Sequence, residues 1–209
     1  MIKKWKKEVL KHKKQIILSI LFLIVACMIS YASGSYMDKT VVKQVPDIIL
    51  DNIPVINLSF LYIWLYILVI AIFLVYPLLF KPKRFHYSVG MLGFFMIVRS
   101  VFIILTHLKP PVDAIPVAFP WLFDFLNFRY DMFFSGHTGL PFLGFWIFRK
   151  DSKYLGRFML ACSLILAATV LLMHAHYSID VLGAFFITYG IFRFGTWMFR
   201  RFGLIKFEK

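Results

Sequence analysis

Phe134-Ser135-Gly136-His137-Thr138 and His176-Tyr177-Ser178-Ile179-Asp180 place two histidines and a carboxylate at the ends of two apolar segments. A charged side chain at the centre of a membrane span costs about 2.5 to 3.5 kcal/mol, so ionisable groups that occur there face a cavity, a partner or a substrate. His176 and Asp180 are four apart, and a helix starting between them puts both on one face, within touching distance. A carboxylate bonded to one imidazole nitrogen fixes the tautomer and frees the other nitrogen to attack. His176 is therefore the expected nucleophile, with a lipid phosphate as its target and a phosphohistidine as the intermediate. A lipid alkoxide leaves poorly unless protonated, so a second imidazole must act as acid, a contribution of about 10² to 10⁴ in rate. His137 fits that role. Ser135 and Gly136 suit a phosphate cradle, because glycine permits close approach and the amides of a helix start favour an anion.

Arg99, Lys109 and Arg129 are the cations available for transition-state charge. Arg99 stands inside an apolar run, whereas Lys109 and Arg129 equally suit solvated loops. Asp131 either joins the site or caps the following helix. His174 is either a third site imidazole or an interfacial residue. His137, His174 and His176 would make a three-histidine metal site conceivable, but no ligand-spaced motif is present and the phosphohistidine scheme requires no ion. Neither a metal nor another cofactor is expected. Taken singly each motif has a plainer explanation: four common residues in the first, a turn with a capping aspartate in the second.

The elements that must hold these residues are membrane helices. Of the 209 residues, 61% are hydrophobic and 19% aromatic, and the mean hydropathy is +0.79, outside the range of soluble domains. The formal charge of +14 does not point to nucleic acid, because the basic residues flank apolar runs, where they orient a chain and meet anionic headgroups. Cys27 and Cys162 fall inside apolar runs and read as small buried hydrophobes. The expected fold is all-α, a polytopic membrane protein of six transmembrane helices. Its spans are 15–33, 58–80, 88–106, 132–148, 158–174 and 178–199. Residues 1–14 form a basic N-terminal arm with seven lysines, 15–199 the transmembrane catalytic domain, and 200–209 a basic C-terminal tail. The first span is read as an uncleaved anchor, being longer than a signal-peptide core.

Lysine and arginine counts set the orientation. The arm, the segments holding Lys81, Lys83 and Arg84 and then Arg149, Lys150, Lys153 and Arg157, and the tail with Arg200, Arg201, Lys206 and Lys209 are expected to be cytoplasmic. The alternate loops carry few cations beside Asp38, Asp47, Asp51, Asp113 and Asp124, and face outward. Arg99 then lies in the outer half of its helix, about 10 Å from Thr106. His137, His176 and Asp180 fall at the same rim, exoplasmic, lumenal or periplasmic. Scattered core polar residues would have no reason to share one side.

Asp131-Met132-Phe133-Phe134-Ser135-Gly136-His137-Thr138 and His174-Ala175-His176-Tyr177-Ser178-Ile179-Asp180-Val181, with a looser Arg99-Ser100 motif, resemble the sphingomyelin synthase branch of the type 2 phosphatidic acid phosphatase superfamily. The resemblance implies a six-helix fold, a His137, His176 and Asp180 triad, and transfer of a phosphate-bearing headgroup, phosphocholine or similar, from a glycerophospholipid to a lipid alcohol. The chain departs from the phosphatase branch: it has no Arg-Pro pair, Phe134 replaces a proline, and Val170 stands six residues before His176 in place of an arginine. It departs from the synthase branch at Tyr130, where glycine is common. Two alternatives stay open: a lipid phosphate phosphatase, with water as acceptor, and a catalytically silent lipid-binding membrane protein.

Overall fold

The computed structural model describes residues 2–40, 43–121 and 128–202. Met1, Asp124, Lys206 and Lys209, invoked above for the arm, an outer loop and the tail, lie outside them. The described chain forms seven α-helices: α1 Ile2–Lys11, α2 Lys13–Met37, α3 Ser59–Phe80, α4 Pro82–Leu105, α5 Gly136–Phe148, α6 Lys153–Leu172 and α7 Ser178–Arg201, with a single 3₁₀ turn at Leu50–Asn52. Five of these, α2, α3, α4, α6 and α7, are long and apolar enough to cross a membrane. The chain is a multi-pass integral membrane protein.

The expected fourth span, 132–148, is shorter than the sequence indicated. Its helix, α5, begins at Gly136 rather than Met132 and has 13 residues, about 20 Å at 1.5 Å per residue. The hydrocarbon core is about 30 Å thick. Ser135 stops the helix there: its backbone is non-helical, with φ of −58° and ψ of 114°, and its hydroxyl accepts from Thr138 N, the role serine plays at an N-cap. Ten of the 13 residues are buried, so protein rather than lipid surrounds this helix.

α4 is the centre of the bundle, packing on α2, α3, α5 and α7, while α5 packs on α3, α6 and α7. Glycines bring the axes close. A side chain at Gly139 would lie 2.8 Å from Thr188 Oγ1 and 3.0 Å from the Phe95 ring, and one at Gly144 would overlap Met159. Polar groups tie helices across the core: Ser30 with Ser100 at 3.0 Å, and Ser163 to the carbonyl of Thr138 at 2.8 Å. The apolar outer faces of α2 and α3, including Leu18, Leu21, Met28, Phe60 and Trp64, are exposed, the pattern of helices solvated by acyl chains. The basic arm is a helix, α1, whose Trp5 indole donates to the carbonyl of Leu78 at 2.8 Å.

One end of the bundle is organised by the histidine motif itself. Tyr177 accepts from Val45 N at 3.4 Å and donates to the carbonyl of Lys109 at 2.9 Å, joining the two connecting segments above α7. Lys43 and Leu108 pair as an isolated bridge. Asp47 accepts from the amides of Ser178, Ile49 and Leu50 at 2.6, 2.9 and 3.2 Å, capping α7 with a negative charge at its positive end. Burial presses the Asp47 carboxyl upward, but hydrogen bonds from Ser178, Leu50 and Ile49 outweigh it and hold the group below the usual aspartate value.

Candidate active site

Three helix ends meet at that rim. Arg99 comes from the last two turns of α4, His137 from the first turn of α5, and His176 and Asp180 from the start of α7. α5 and α7 are locked in register where Ser135 N donates to the carbonyl of Asp180 at 3.2 Å, so the two histidine motifs are fixed to each other by backbone.

His176 Nδ1 lies 3.3 Å from Asp180 Oδ2, and the same oxygen accepts from Tyr177 N at 3.0 Å, closing a capping box on α7. Asp180 is fully buried, and its Oδ1 has no partner among the described residues. The other ring nitrogen of His176 makes no hydrogen bond to a described residue. The His137 ring is 6.5 Å from the His176 ring, centroid to centroid, and its buried Nε2 has no hydrogen-bond partner among the described residues. Both imidazoles line one cavity of about 430 Å³. Arg99, Asp131 and Gly136 border the same space, which continues as an apolar channel past Leu140, Leu92, Leu23 and Leu74.

Arg99 is held as a fork. Its Nε donates to the carbonyl of Phe134 at 2.8 Å, Nη1 to Asp131 Oδ2 at 2.6 Å and Nη2 to the carbonyl of Asp131 at 3.3 Å. Of the two alternatives for Asp131, the cap falls to Ser135, and Asp131 borders the cavity, paired with Arg99, its Oδ1 without a partner among the described residues.

Other expected residues fall elsewhere. Ser135 is fully buried under its own helix, its hydroxyl engaged with Thr138, and does not border the cavity. Lys109 also lies off the cavity wall, its backbone paired with Lys43. Arg129 is outside the wall as well, its guanidinium 5.8 Å above the Tyr130 ring. His174 is the residue after the α6 C-cap, with φ of 51°. The amide of Ala175 bonds the carbonyl of Val170 and that of His174 the carbonyl of Leu171, a helix stop in which glycine usually takes the left-handed position. His174 is absent from the cavity wall, so His137 and His176 are the imidazoles that face each other. Among the described residues no three His, Cys, Asp or Glu side chains gather as a metal site.

Two aromatic residues went unread in the sequence. Tyr62 and Tyr66 of α3 lie against the two sides of the His137 environment, with ring centroids 3.8 and 4.0 Å from the imidazole. Phe119 adds a third ring at 6.1 Å. Their spacing of four within an apolar helix was the available signal, but the same spacing describes a lipid-facing stripe.

Residues 130–197 match the family described as PAP2 superfamily C-terminal. The matched stretch contains Asp131, His137, His176 and Asp180 and excludes Arg99. It supports placement in the type 2 phosphatidic acid phosphatase superfamily. No curated protein and no solved structure matches the chain.

Proposed function

We propose that the chain is a membrane-embedded lipid phosphotransferase. It moves a phosphocholine-like headgroup from a glycerophospholipid to a lipid alcohol through a phosphohistidine, as the resemblance to the sphingomyelin synthase branch implies. The observation that carries this is the pair of imidazoles 6.5 Å apart on one cavity, one of them braced by a buried carboxylate. A phosphoryl group needs about 3 to 3.5 Å from attacking nitrogen to phosphorus and about 2.6 to 3.2 Å from the acid to the leaving oxygen. The separation supports a phosphorus between the rings.

In the first half-reaction the free nitrogen of His176 bonds to phosphorus and the bond from phosphorus to the diacylglycerol oxygen breaks. His137, in its protonated form, gives that oxygen a proton. In the second, His137 takes a proton from the acceptor hydroxyl, whose oxygen bonds to phosphorus as the bond to His176 breaks. Asp180 stabilises positive charge on His176 throughout.

The charge balance of the cavity favours a phosphodiester over a phosphate monoester. Arg99 is already compensated by Asp131, and the Asp180 carboxylate offsets the proton on His137, so the cavity holds no net positive charge for a dianionic monoester. A zwitterionic headgroup brings its own cation. Asp131 Oδ1 and the rings of Tyr62, Tyr66, Phe119 and Phe128 offer it a carboxylate and aromatic faces. Orientation follows the cation asymmetry: Arg84, Arg149, Lys150, Lys153, Arg157, Arg200 and Arg201 all stand at the helix ends away from the histidines, which supports cytoplasmic termini and an outward-facing site.

The test is a micellar assay with phosphatidylcholine labelled in its phosphate. Labelled lipid product supports transfer, and water-soluble label alone replaces it with hydrolysis. His176→Ala must abolish both; unchanged turnover in that variant refutes the mechanism, and no turnover in wild type leaves a lipid-binding protein.

A further inference from the structure

Tyr62 and Tyr66 are four residues apart on α3, so both project from one face. Their ring planes are tilted 29° and 31° from the His137 imidazole, at 3.8 and 4.0 Å. An imidazole flanked so closely cannot turn about its bond to the backbone without driving into a phenol ring. The two electron-rich faces also accept its positive charge whenever it holds a proton.

The hydroxyl of Tyr66 has a second relation to the site. A side-chain carbon at Gly136 would lie 3.3 Å from Tyr66 Oη, 3.2 Å from Arg99 Nε and 3.3 Å from Arg99 Cζ. Phenol and guanidinium therefore border the same point, against the first turn of α5, where the backbone amides have no partner inside the helix. Neither phenol makes a hydrogen bond to a described residue, and both rings line the cavity.

We propose that Tyr62 and Tyr66 belong to the catalytic machinery: the Tyr66 hydroxyl donates to a phosphoryl oxygen beside Arg99, and the two rings clamp the His137 imidazole in the plane from which it protonates the leaving oxygen. Tyr66 is thus a catalytic residue and Tyr62 a positioning residue. The inference rests on the phosphotransfer proposed above, and the experiment separates the two.

Wild type, His176→Ala, Tyr66→Phe, Tyr62→Phe and Tyr62→Leu are compared in detergent micelles. The probes are phosphatidylcholine, phosphatidylethanolamine, phosphatidylglycerol and phosphatidate, each with a fluorescent acyl chain, and fluorescent diacylglycerol is the product read. Removing one donor to a developing oxyanion lowers kcat by about 10² to 10³, and that loss is expected of Tyr66→Phe, with little change in KM. Tyr62→Leu, which removes the ring, loses kcat by about tenfold or more, and Tyr62→Phe, which restores the ring, recovers most of that loss. If His176→Ala is dead while Tyr66→Phe and Tyr62→Leu both turn over as wild type, this inference fails and the phosphotransfer stands. If His176→Ala remains active, or wild type yields no diacylglycerol from any probe, both fail. Should Tyr62→Leu not fold, Tyr66→Phe, which changes one oxygen, decides alone.

Discussion

Asp180→Asn separates a catalytic carboxylate from a helix cap. Oδ2 receives both the Tyr177 amide at 3.0 Å and His176 Nδ1 at 3.3 Å, while Oδ1 receives nothing from the described residues. Asparagine can keep its carbonyl in the Oδ2 position, so the tautomer and the cap survive and the charge is lost. Between a carboxylate and a positive imidazole at 3.3 Å, the attraction is about 5 kcal/mol at an effective dielectric constant of about 20. A neutral hydrogen bond retains about 1 kcal/mol of that, which leaves about 3 to 4 kcal/mol, or about 10² to 10³ in rate. The amide nitrogen, forced into the buried Oδ1 position, brings unpaired donors at about 1 to 3 kcal/mol, so thermal stability falls as well. Single-turnover loss of headgroup from a fluorescent phospholipid measures the first effect, and thermal unfolding in detergent the second. A variant destabilised by that amount yet turning over within tenfold of wild type, against an inactive His176→Ala, would show that Asp180 only caps α7.

Gly136→Ala should divide activity from stability: alanine is the better helix former by up to about 1 kcal/mol, but its methyl meets Arg99 and Tyr66 at 3.2 and 3.3 Å. The thermal midpoint is expected to hold or rise while kcat/KM falls at least about tenfold. Asp131→Ala leaves the Arg99 guanidinium uncompensated at 16% side-chain exposure, at a cost near the lower end of about 3 to 5 kcal/mol. With Arg99→Gln added, the double variant should lose less in detergent unfolding than the two single losses summed, and strict additivity would refute the pairing energy. Asp47 has a lowered folded-state value, so its stabilisation is complete above the ordinary aspartate value near about 4 and is lost as pH falls through the lower folded value. Asp47→Asn should flatten that acid limb in a pH series of unfolding midpoints, and an unchanged limb would place the acid sensitivity elsewhere.

The long helices were legible because run length alone specifies a span: 58–80 was expected and Ser59–Phe80 is found, and 178–199 became Ser178–Arg201. α4 starts six residues before the expected 88, since Pro82 suits a first helical turn and Lys83 and Arg84 are tolerated at a span's end. The contact of His176 with Asp180 was legible from a spacing of four. That His137 shares their rim followed from the order of the spans, whereas its distance from His176 did not, because it depends on how closely α5 and α7 pack through Gly139 and Thr188. Tyr62 and Tyr66 were invisible for a related reason: apolar periodicity cannot tell a tyrosine facing lipid from one facing a cavity.

The shortness of α5 and the fork of Arg99 are one structural fact. A helix of about 20 Å inside a hydrocarbon layer of about 30 Å leaves the chain before Gly136 irregular at a depth where backbone groups have no water to bond. Arg99 Nε meets the carbonyl of Phe134, Nη2 that of Asp131, and the amide of Ser135 finds Asp180. Asp131 then offsets the charge that this service brings into the layer. The irregular backbone is tolerated because a guanidinium satisfies it, and the guanidinium is tolerated because a carboxylate pairs with it. The result is a histidine set below the rim, with its amides, its cation and its facing imidazole fixed before any lipid arrives, which is the preorganisation that electrostatic catalysis requires. Arg99→Gln, uncharged and able to serve only some of those acceptors, should therefore lose the fold around Phe134 and Ser135 before it loses affinity for phosphate. Faster backbone exchange of those two amides than in wild type, at equal phospholipid affinity, is the expected signature, and equal exchange with weaker binding would confine Arg99 to the substrate.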